Sequence, residues 1–282
     1  MSDLFQIERI GSARCSNIKW KDGQKEKIVE LYNNKNSIRK ISQLFGGLHY
    51  NTIKKILSEK NISLRTRAQS HYQDNRIENI FEEIDSEEKA YWLGFLSGDG
   101  CVFKNYIRIT LQKKDKEHLE KFKRFLNADS ISIRQYGEYA SFSIGCKKMA
   151  EDLKKLGCTE RKSLALGIPQ IKQEYYYDWL RGLWDADGGI SYLEKSNRWQ
   201  AYLTGTKNVC DFFIKVLNIN TKSFKEHHCE ETYRVHFNGR LNVLEKMNLL
   251  YKNNTATIFL DRKHKKYERL LTTLQSKNTV NL

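Results

Sequence analysis

Two kinds of hydrophobic spacing alternate along this chain. From residue 24 to 60 the apolar positions recur every three to four residues, as on one face of a helix. Lys25–Asn33 carries Ile28, Leu31 and Tyr32 on one side. Ser37 stands as an N-cap before a helix over Ile38–Phe45, with Ile41 and Leu44 inward, and Gly46-Gly47 breaks that helix. A third helix over about Tyr50–Glu59 buries Ile53, Ile56 and Leu57 and leaves His49, Tyr50, Asn51, Lys54 and Lys55 outside. Helix, glycine turn and helix with a polar, basic outer face is the helix-turn-helix layout, whose last helix enters the major groove. An ordinary three-helix bundle shares the same spacing. Residues 61–86 are polar, with Arg65, Arg67 and Arg76 early and acids late. They read either as a linker able to track a phosphate backbone or as a solvated loop.

Beyond Glu87 the spacing switches to alternation, and the order of elements repeats. Each repeat opens on an apolar helix that ends in Asp-Gly, followed by two strands, a helix, two strands and a helix. The first predicts strands over about 101–103, 106–112, 130–136 and 139–145, with helices over 115–126 and 147–156. The second predicts strands over about 189–193, 198–205, 222–228 and 232–238, with helices over 207–217 and 240–248. A basic closing helix follows from about Thr257. The expected fold class is α+β: two pseudo-symmetric αββαββα units preceded by a small all-α helix-turn-helix domain. The divisions fall at 1–60, 61–86, 87–172 and 173–282.

Each strand has one polar face. In the first repeat Arg108, Thr110 and Gln112 alternate with Ile107, Ile109 and Leu111, and Ser132, Arg134 and Tyr136 alternate with Ile131 and Ile133. In the second, Gln200, Tyr202 and Thr204 alternate with Ala201 and Leu203, and Arg234, His236 and Asn238 alternate with Tyr233, Val235 and Phe237. A half-solvated sheet gives the same alternation, but its outer face is usually rich in Glu, Lys and Thr. Arg, Gln, Tyr, His and Asn are the donors and acceptors that read base edges.

The repeat openings, Trp92–Gly100 (WLGFLSGDG) and Leu180–Gly188 (LRGLWDADG), carry candidate chemistry. A lone Asp-Gly is most often a turn. Here it recurs after an apolar helix with small residues four apart, Gly94 and Gly98 in one copy, Gly182 and Ala186 in the other. Such stripes let two helix backbones approach closely, which would set Asp99 and Asp187 side by side. Gly100 and Gly188 then read as left-handed residues closing each helix. A carboxylate at a helix C-terminus is disfavoured by roughly 0.3–1 kcal/mol, so a pair of them implies a neighbouring positive charge. Two carboxylates and adjacent carbonyls are hard oxygen donors suited to Mg2+, and ions there could activate water for phosphodiester hydrolysis.

Charge and cysteine content fit this picture. The 282 residues carry a net charge of +15, which either serves solubility or matches a polyanion such as duplex DNA. Six cysteines without metal-ligand spacing read as reduced thiols. No signal peptide and no long apolar run are present, so a cytoplasmic protein of prokaryotic or phage origin is expected.

The paired segments resemble the signatures of the LAGLIDADG homing endonucleases, in the single-chain form with two copies, over about 87–260. Arg181 and Trp184 replace small or aliphatic residues, Trp92 and Leu93 replace the opening Leu-Ala, and Ser97-Gly98 replace Asp-Ala. None of these touches the penultimate acid. The resemblance implies that both four-stranded sheets form a saddle on duplex DNA. It implies Asp99 and Asp187 as catalytic metal ligands, with the carbonyls of Gly98 and Ala186, sharing two or three Mg2+ ions. It further implies double-strand cleavage of a long, asymmetric site with short 3′ overhangs, by a monomer. The family often places a lysine after the last helix of each half, for which Lys162 and Lys252 are the nearest matches. With no splice-junction residues, an intron-encoded or free-standing enzyme is expected. A transcription regulator, or a maturase acting on intron RNA, is the alternative on the same scaffold; retention of both acids favours cleavage.

Overall fold

The computed structural model describes residues 5–10, 17–34, 36–65, 77–159, 166–226, 231–252 and 258–278. The chain divides into two compact units, Met1–Asn75 and Arg76–Leu282, each with its own apolar core.

The first unit holds three helices, α1 (Gln24–Asn33), α2 (Ile38–Leu44) and α3 (Tyr50–Glu59). Ser37 caps α2 by accepting from the Lys40 N–H at 3.1 Å. Gly46 and Gly47 then turn the chain at φ +61° and +80°, a region that favours glycine. Ile28, Ile41, Phe45, Ile53 and Leu57 are fully buried between the helices. The expectation of an all-α domain needs correction: β1 (Glu8–Ile10) and β2 (Asn17–Lys19) form an antiparallel hairpin. Strands of three residues are too short to show an alternation, and Phe5, Ile7, Ile18 and Trp20 pack on the helical core.

The presumed linker is also shorter than 61–86. Arg65 is bound within the first unit: its guanidinium donates to the carbonyls of Tyr32 and Asn36 and lies over the Tyr32 ring. Arg67 and Arg76 fall outside the described residues. At the other end Ile80, Phe81 and Ile84 are buried in the core of the second unit, because three apolar residues over one short turn had somewhere to pack.

The second unit is built as the repeat predicts. Its first half runs α4 (Glu87–Gly98), β3 (Gly100–Phe103), β4 (Tyr106–Gln112), α5 (Lys116–Phe125), β5 (Arg134–Tyr136), β6 (Tyr139–Gly145) and α6 (Lys147–Lys155). The second runs α7 (Tyr176–Asp187), β7 (Gly188–Leu193), β8 (Arg198–Gly205), α8 (Lys207–Leu217), β9 (Phe224–Lys225), β10 (Tyr233–Asn238) and α9 (Arg240–Tyr251), then α10 (Asp261–Asn278). Each half makes a four-stranded antiparallel sheet with the same order, β3-β4-β6-β5 and β7-β8-β10-β9. The third strand of each half is shorter than expected, so Ser132 lies ahead of β5 rather than within it. The sheets lay one face on their helices, burying Ile107, Ile109, Phe142 and Ile144 in one half and Ala201, Leu203, Val235 and Phe237 in the other.

Helices α4 and α7 lie at the centre. The first is apolar around most of its circumference, the signature of a helix buried on all sides, and the second buries Asp178, Arg181 and Asp185 among its apolar residues. Ala90 through Ser97 are all buried, as are Asp178 through Asp185.

Candidate functional site

The small-residue stripes do what their spacing suggests. A methyl group on Gly94 would lie 2.0 Å from the Trp179 carbonyl oxygen, and one on Gly182 would lie 1.9 Å from that of Tyr91. The two helices therefore cross backbone to backbone. One turn later a methyl on Gly98 would meet the Ala186 Cβ at 2.3 Å and the Asp187 Oδ2 at 2.7 Å. The C-terminal ends of α4 and α7 thus abut, and the Asp187 carboxylate reaches the end of the neighbouring helix beside Asp99. Asp99 is exposed and Asp187 half-buried.

Gly100 and Gly188 are required for a reason other than the one expected. Neither is left-handed: Gly100 opens β3, and Gly188 is extended at φ −91° and ψ 173°. Space decides instead. A methyl on Gly100 would sit 2.6 Å from the Leu96 carbonyl oxygen, and one on Gly188 2.5 Å from the Trp184 ring.

The positive charge that the paired helix ends require is supplied in part by the chain itself. The Lys263 ammonium donates to the carbonyls of Trp184 (2.8 Å), Ala186 (3.2 Å) and Gly188 (2.5 Å). Three N–H groups meet three carbonyls at the C-terminus of α7, where the helix leaves such acceptors unpaired. Lys263 is 4% exposed. Burial pushes its pKa down to about 8, opposed by the carboxylate of Asp185 and then by those of Asp99 and Asp187. Lys263 therefore feels both acids of the motif pair.

Asp185 fixes that lysine in place. It is two residues from Asp187, so it points to the opposite side of α7, into the core. Its Oδ2 accepts from the Tyr91 hydroxyl (2.8 Å) and the Leu260 N–H (2.7 Å), and its Oδ1 accepts from the Tyr251 hydroxyl (2.6 Å). The Leu260 carbonyl in turn accepts the backbone N–H of Lys263. The first half holds the same segment: Lys121 donates to the Phe259 carbonyl and to Asp261, and Arg262 donates to the buried Asp115. Burial raises the Asp185 pKa, against the pull of Lys263 and of its hydrogen bonds.

Of the two lysines expected here, Lys162 lies outside the described residues. Lys252 is exposed at the end of α9, and among the described residues Lys263 is a buried lysine on which the charges of Asp99 and Asp187 act. Sequence reading missed Lys263, Asp185, Tyr91 and Tyr251. One signal was present: Asp185 is a second carboxylate inside an apolar helix, and such a group needs internal donors.

For Mg2+ the donor set fits. Asp99 and Asp187 bring carboxylates, and the Gly98 and Ala186 carbonyls stand at the same helix ends. The Ala186 oxygen shares one lone pair with Lys263 and retains a second.

The outward sheet faces carry most of the predicted polar residues. In the first half Arg108, Thr110 and Gln112 of β4 share a face with Arg134 and Tyr136 of β5, as the register Arg108↔Ser143, Thr110↔Ser141 and Tyr136↔Tyr139 requires. The same face adds residues not anticipated from the alternation: Phe103, Tyr106 and Tyr139, like Tyr136, are each about half exposed. In the second half Gln200, Tyr202 and Thr204 face outward with Arg234, His236 and Asn238. Arg234 contacts Glu226 at 2.7 Å and Thr204 at 3.3 Å, and lies over the Tyr202 ring. In the first unit His49 caps α3 by accepting from the Asn51 N–H and stacks on Tyr50. Tyr50, Asn51, Lys54 and Lys55 are exposed on the same helix.

Among the described residues Cys101, Cys146, Cys158 and Cys210 form no disulfide, and no helix is long and apolar enough to cross a membrane.

The sequence model of the LAGLIDADG-like domain matches residues 86–133, which span α4 through α5 and the start of the next loop. An uncharacterized protein of Methanocaldococcus jannaschii is 27% identical over 203 residues, covering 64% of this chain and 72% of that protein. The replication factor C small subunit of the same organism is 29% identical over 119 residues, which are 39% of this chain and 6% of that protein. Among solved structures, the meganuclease I-SmaMI bound to uncleaveable DNA is 14% identical, with a TM-score of 0.48, over 66% of this chain and 90% of that one. The LAGLIDADG meganuclease I-CpaMI bound to uncleaved DNA is 12% identical, with a TM-score of 0.45, over 67% and 92%. A LAGLIDADG-like domain is thus matched over the first motif helix, and the chain repeats that helix as α7.

Proposed function

We propose that this protein is a site-specific DNA endonuclease that hydrolyses both strands of a long, asymmetric duplex and leaves short 3′ overhangs. The observation that supports this reading is the abutting of the two helix ends that carry Asp99 and Asp187, interlocked through Gly94, Gly98 and Gly182. The two carboxylates, with the Gly98 and Ala186 carbonyls, would hold two or three Mg2+ ions. Such ions would supply an activated water and charge neutralisation at the departing oxygen. Lys263 holds the end of α7 rigid and adds positive potential beside the scissile phosphate. Arg108, Thr110, Gln112, Ser132, Arg134 and Tyr136 in one half, and Gln200, Tyr202, Thr204, Arg234, His236 and Asn238 in the other, bind and orient the duplex. Because the halves differ in their outward side chains, as in Arg108 against Tyr202 at equivalent positions of β4 and β8, a single chain suits an asymmetric target and needs no second copy. The N-terminal unit lengthens the footprint as a helix-turn-helix, reading through Tyr50, Asn51, Lys54 and Lys55.

The test is cleavage of a randomised duplex library with Mg2+, comparing wild type with Asp187→Asn. Cutting by wild type alone, at one site with 3′ overhangs, supports the proposal. Retention of a defined duplex or RNA without cutting sinks it and leaves a regulator or maturase. Deleting residues 1–75 should weaken binding more than it slows cutting; unchanged affinity and footprint would remove the N-terminal unit from DNA reading.

A further inference from the structure

Three outward side chains in the second half are wired to one another across three strands. The Gln200 amide nitrogen (β8) lies 3.1 Å from the Ser191 hydroxyl (β7), and its amide oxygen lies 3.1 Å from His236 Nε2 (β10). The register places them in a row: Ser191 pairs with Gln200, and Gln200 pairs with Asn238, beside His236. All three are half-buried and point away from the core.

We propose that Ser191, Gln200 and His236 read two positions of the duplex as one coupled unit. This rests on the DNA-reading function proposed above. The reason is donor and acceptor arithmetic. An amide has one accepting end and one donating end, and which end faces which neighbour is set by the network. In one arrangement His236 Nε2–H donates to the amide oxygen, and the amide N–H donates to Ser191. His236 Nδ1 is then an acceptor, and the Ser191 O–H is left to donate. In the other the amide is turned: its N–H donates to His236 Nε2, and Ser191 donates to its oxygen. His236 Nδ1–H is now a donor, and Ser191 offers only lone pairs.

The two ends of the relay are therefore coupled: when His236 Nδ1 accepts, Ser191 is free to donate, and when Nδ1–H donates, Ser191 can only accept. In the major groove cytosine N4 only donates, guanine N7 and O6 and thymine O4 only accept, and adenine does both through N6 and N7. A G or T under His236 thus selects a C or A under Ser191, while a C under His236 frees Ser191 to donate to a G or T. The ends are two strand spacings apart, about 10 Å, which is the rise of about three base pairs. The neighbouring Arg234 cannot switch in this way, since a guanidinium only donates and Glu226 already holds it.

The full-length protein is incubated in EDTA with a randomised duplex library, and the retained duplexes are sequenced for wild type, Gln200→Leu and Ser191→Ala. For wild type, two positions about three base pairs apart should covary, matched pairs exceeding mismatched ones by about tenfold or more. Gln200→Leu should keep the rest of the enriched site and lose the covariation. Ser191→Ala should lose it too, while keeping a preference at one of the two positions. An enriched site whose positions vary independently, or covariation that survives Gln200→Leu, overturns the relay and leaves the DNA-reading function standing. A pool with no enriched sequence overturns that function, and the relay with it. Circular dichroism of each variant identifies any that fails to fold, and Ser191→Ala, which removes one hydroxyl, then decides.

Discussion

Replacing Gly182 by alanine tests the central crossing with one methyl group. Two effects oppose each other. Alanine is a better helix former than glycine by about 1 kcal/mol, so at an open helical position the change would stabilise. At Gly182 the new carbon would stand 1.9 Å from the Tyr91 carbonyl oxygen and 2.7 Å from the Phe95 nitrogen. An ordinary contact needs about 3.5 Å, so α4 and α7 would have to part by about 1.6 Å. Both clashing atoms are backbone, and no rotamer change relieves them. Overpacking costs typically 1–3 kcal/mol, and a backbone clash between two buried helices belongs at the upper end or above it. The net loss should be about 2–3 kcal/mol. For a unit of this size, at about 2–4 °C per kcal/mol, the melting temperature should fall by about 4–12 °C. Thermal unfolding followed by circular dichroism measures it, with Gly167→Ala as control, because a methyl there meets nothing within 4 Å. An unchanged or raised melting temperature for Gly182→Ala would refute the close crossing. Cleavage should fall further than stability does, since separating the helices also separates Asp99 from Asp187.

Further outcomes follow from buried charges. His118 is 2% exposed, shares a hydrogen bond with Tyr91, and is pushed down to about 3 by burial, then by Lys121 and Lys263. A base whose folded pKa is depressed contributes stability present above its unfolded value near 6.5 and lost as pH falls towards 3, at about 1.4 kcal/mol per pH unit. Urea unfolding at pH 7, 5.5 and 4.5 should show that slope in wild type and a shallower one in His118→Gln; equal slopes would exclude the assignment. Arg181, 1% exposed, sits 2.8 Å from Asp178 and donates to the carbonyls of Leu250 and Ile258. Arg181→Met should cost about 3–5 kcal/mol by stranding Asp178, and the added change Asp178→Leu should restore part of it in a double-mutant cycle. Lys263→Met should leave the Trp184, Ala186 and Gly188 carbonyls without their donor, lowering the melting temperature and abolishing cutting while DNA retention persists. Normal cutting by that variant would remove Lys263 from the site.

Local pattern alone determined most of the architecture. The switch from helical to alternating spacing at Glu87, the repeated order of elements and the outward residues of β4, β8 and β10 are one-dimensional facts, because helix and strand periodicities are set by backbone geometry. The pairing of Asp99 with Asp187 was legible for the same reason: small residues four apart mark a helix face, and two such faces have one close way to meet. What sequence left open depends on distances between residues far apart in the chain. Lys263 was invisible because nothing local distinguishes it within Arg262–Lys266, and only packing of α10 against α7 aims it at three carbonyls. Asp185 differs from Asp187 only by facing inward, a distinction that burial makes. Gly100 and Gly188 were assigned a backbone conformation when their constraint is the room left by Leu96 and Trp184. The β1–β2 hairpin and the packed residues 77–86 were too short for any period to show. The relay among Ser191, Gln200 and His236 exists only once three strands are in register, since hydrogen bonds between side chains act over about 3 Å and take no account of separation along the chain.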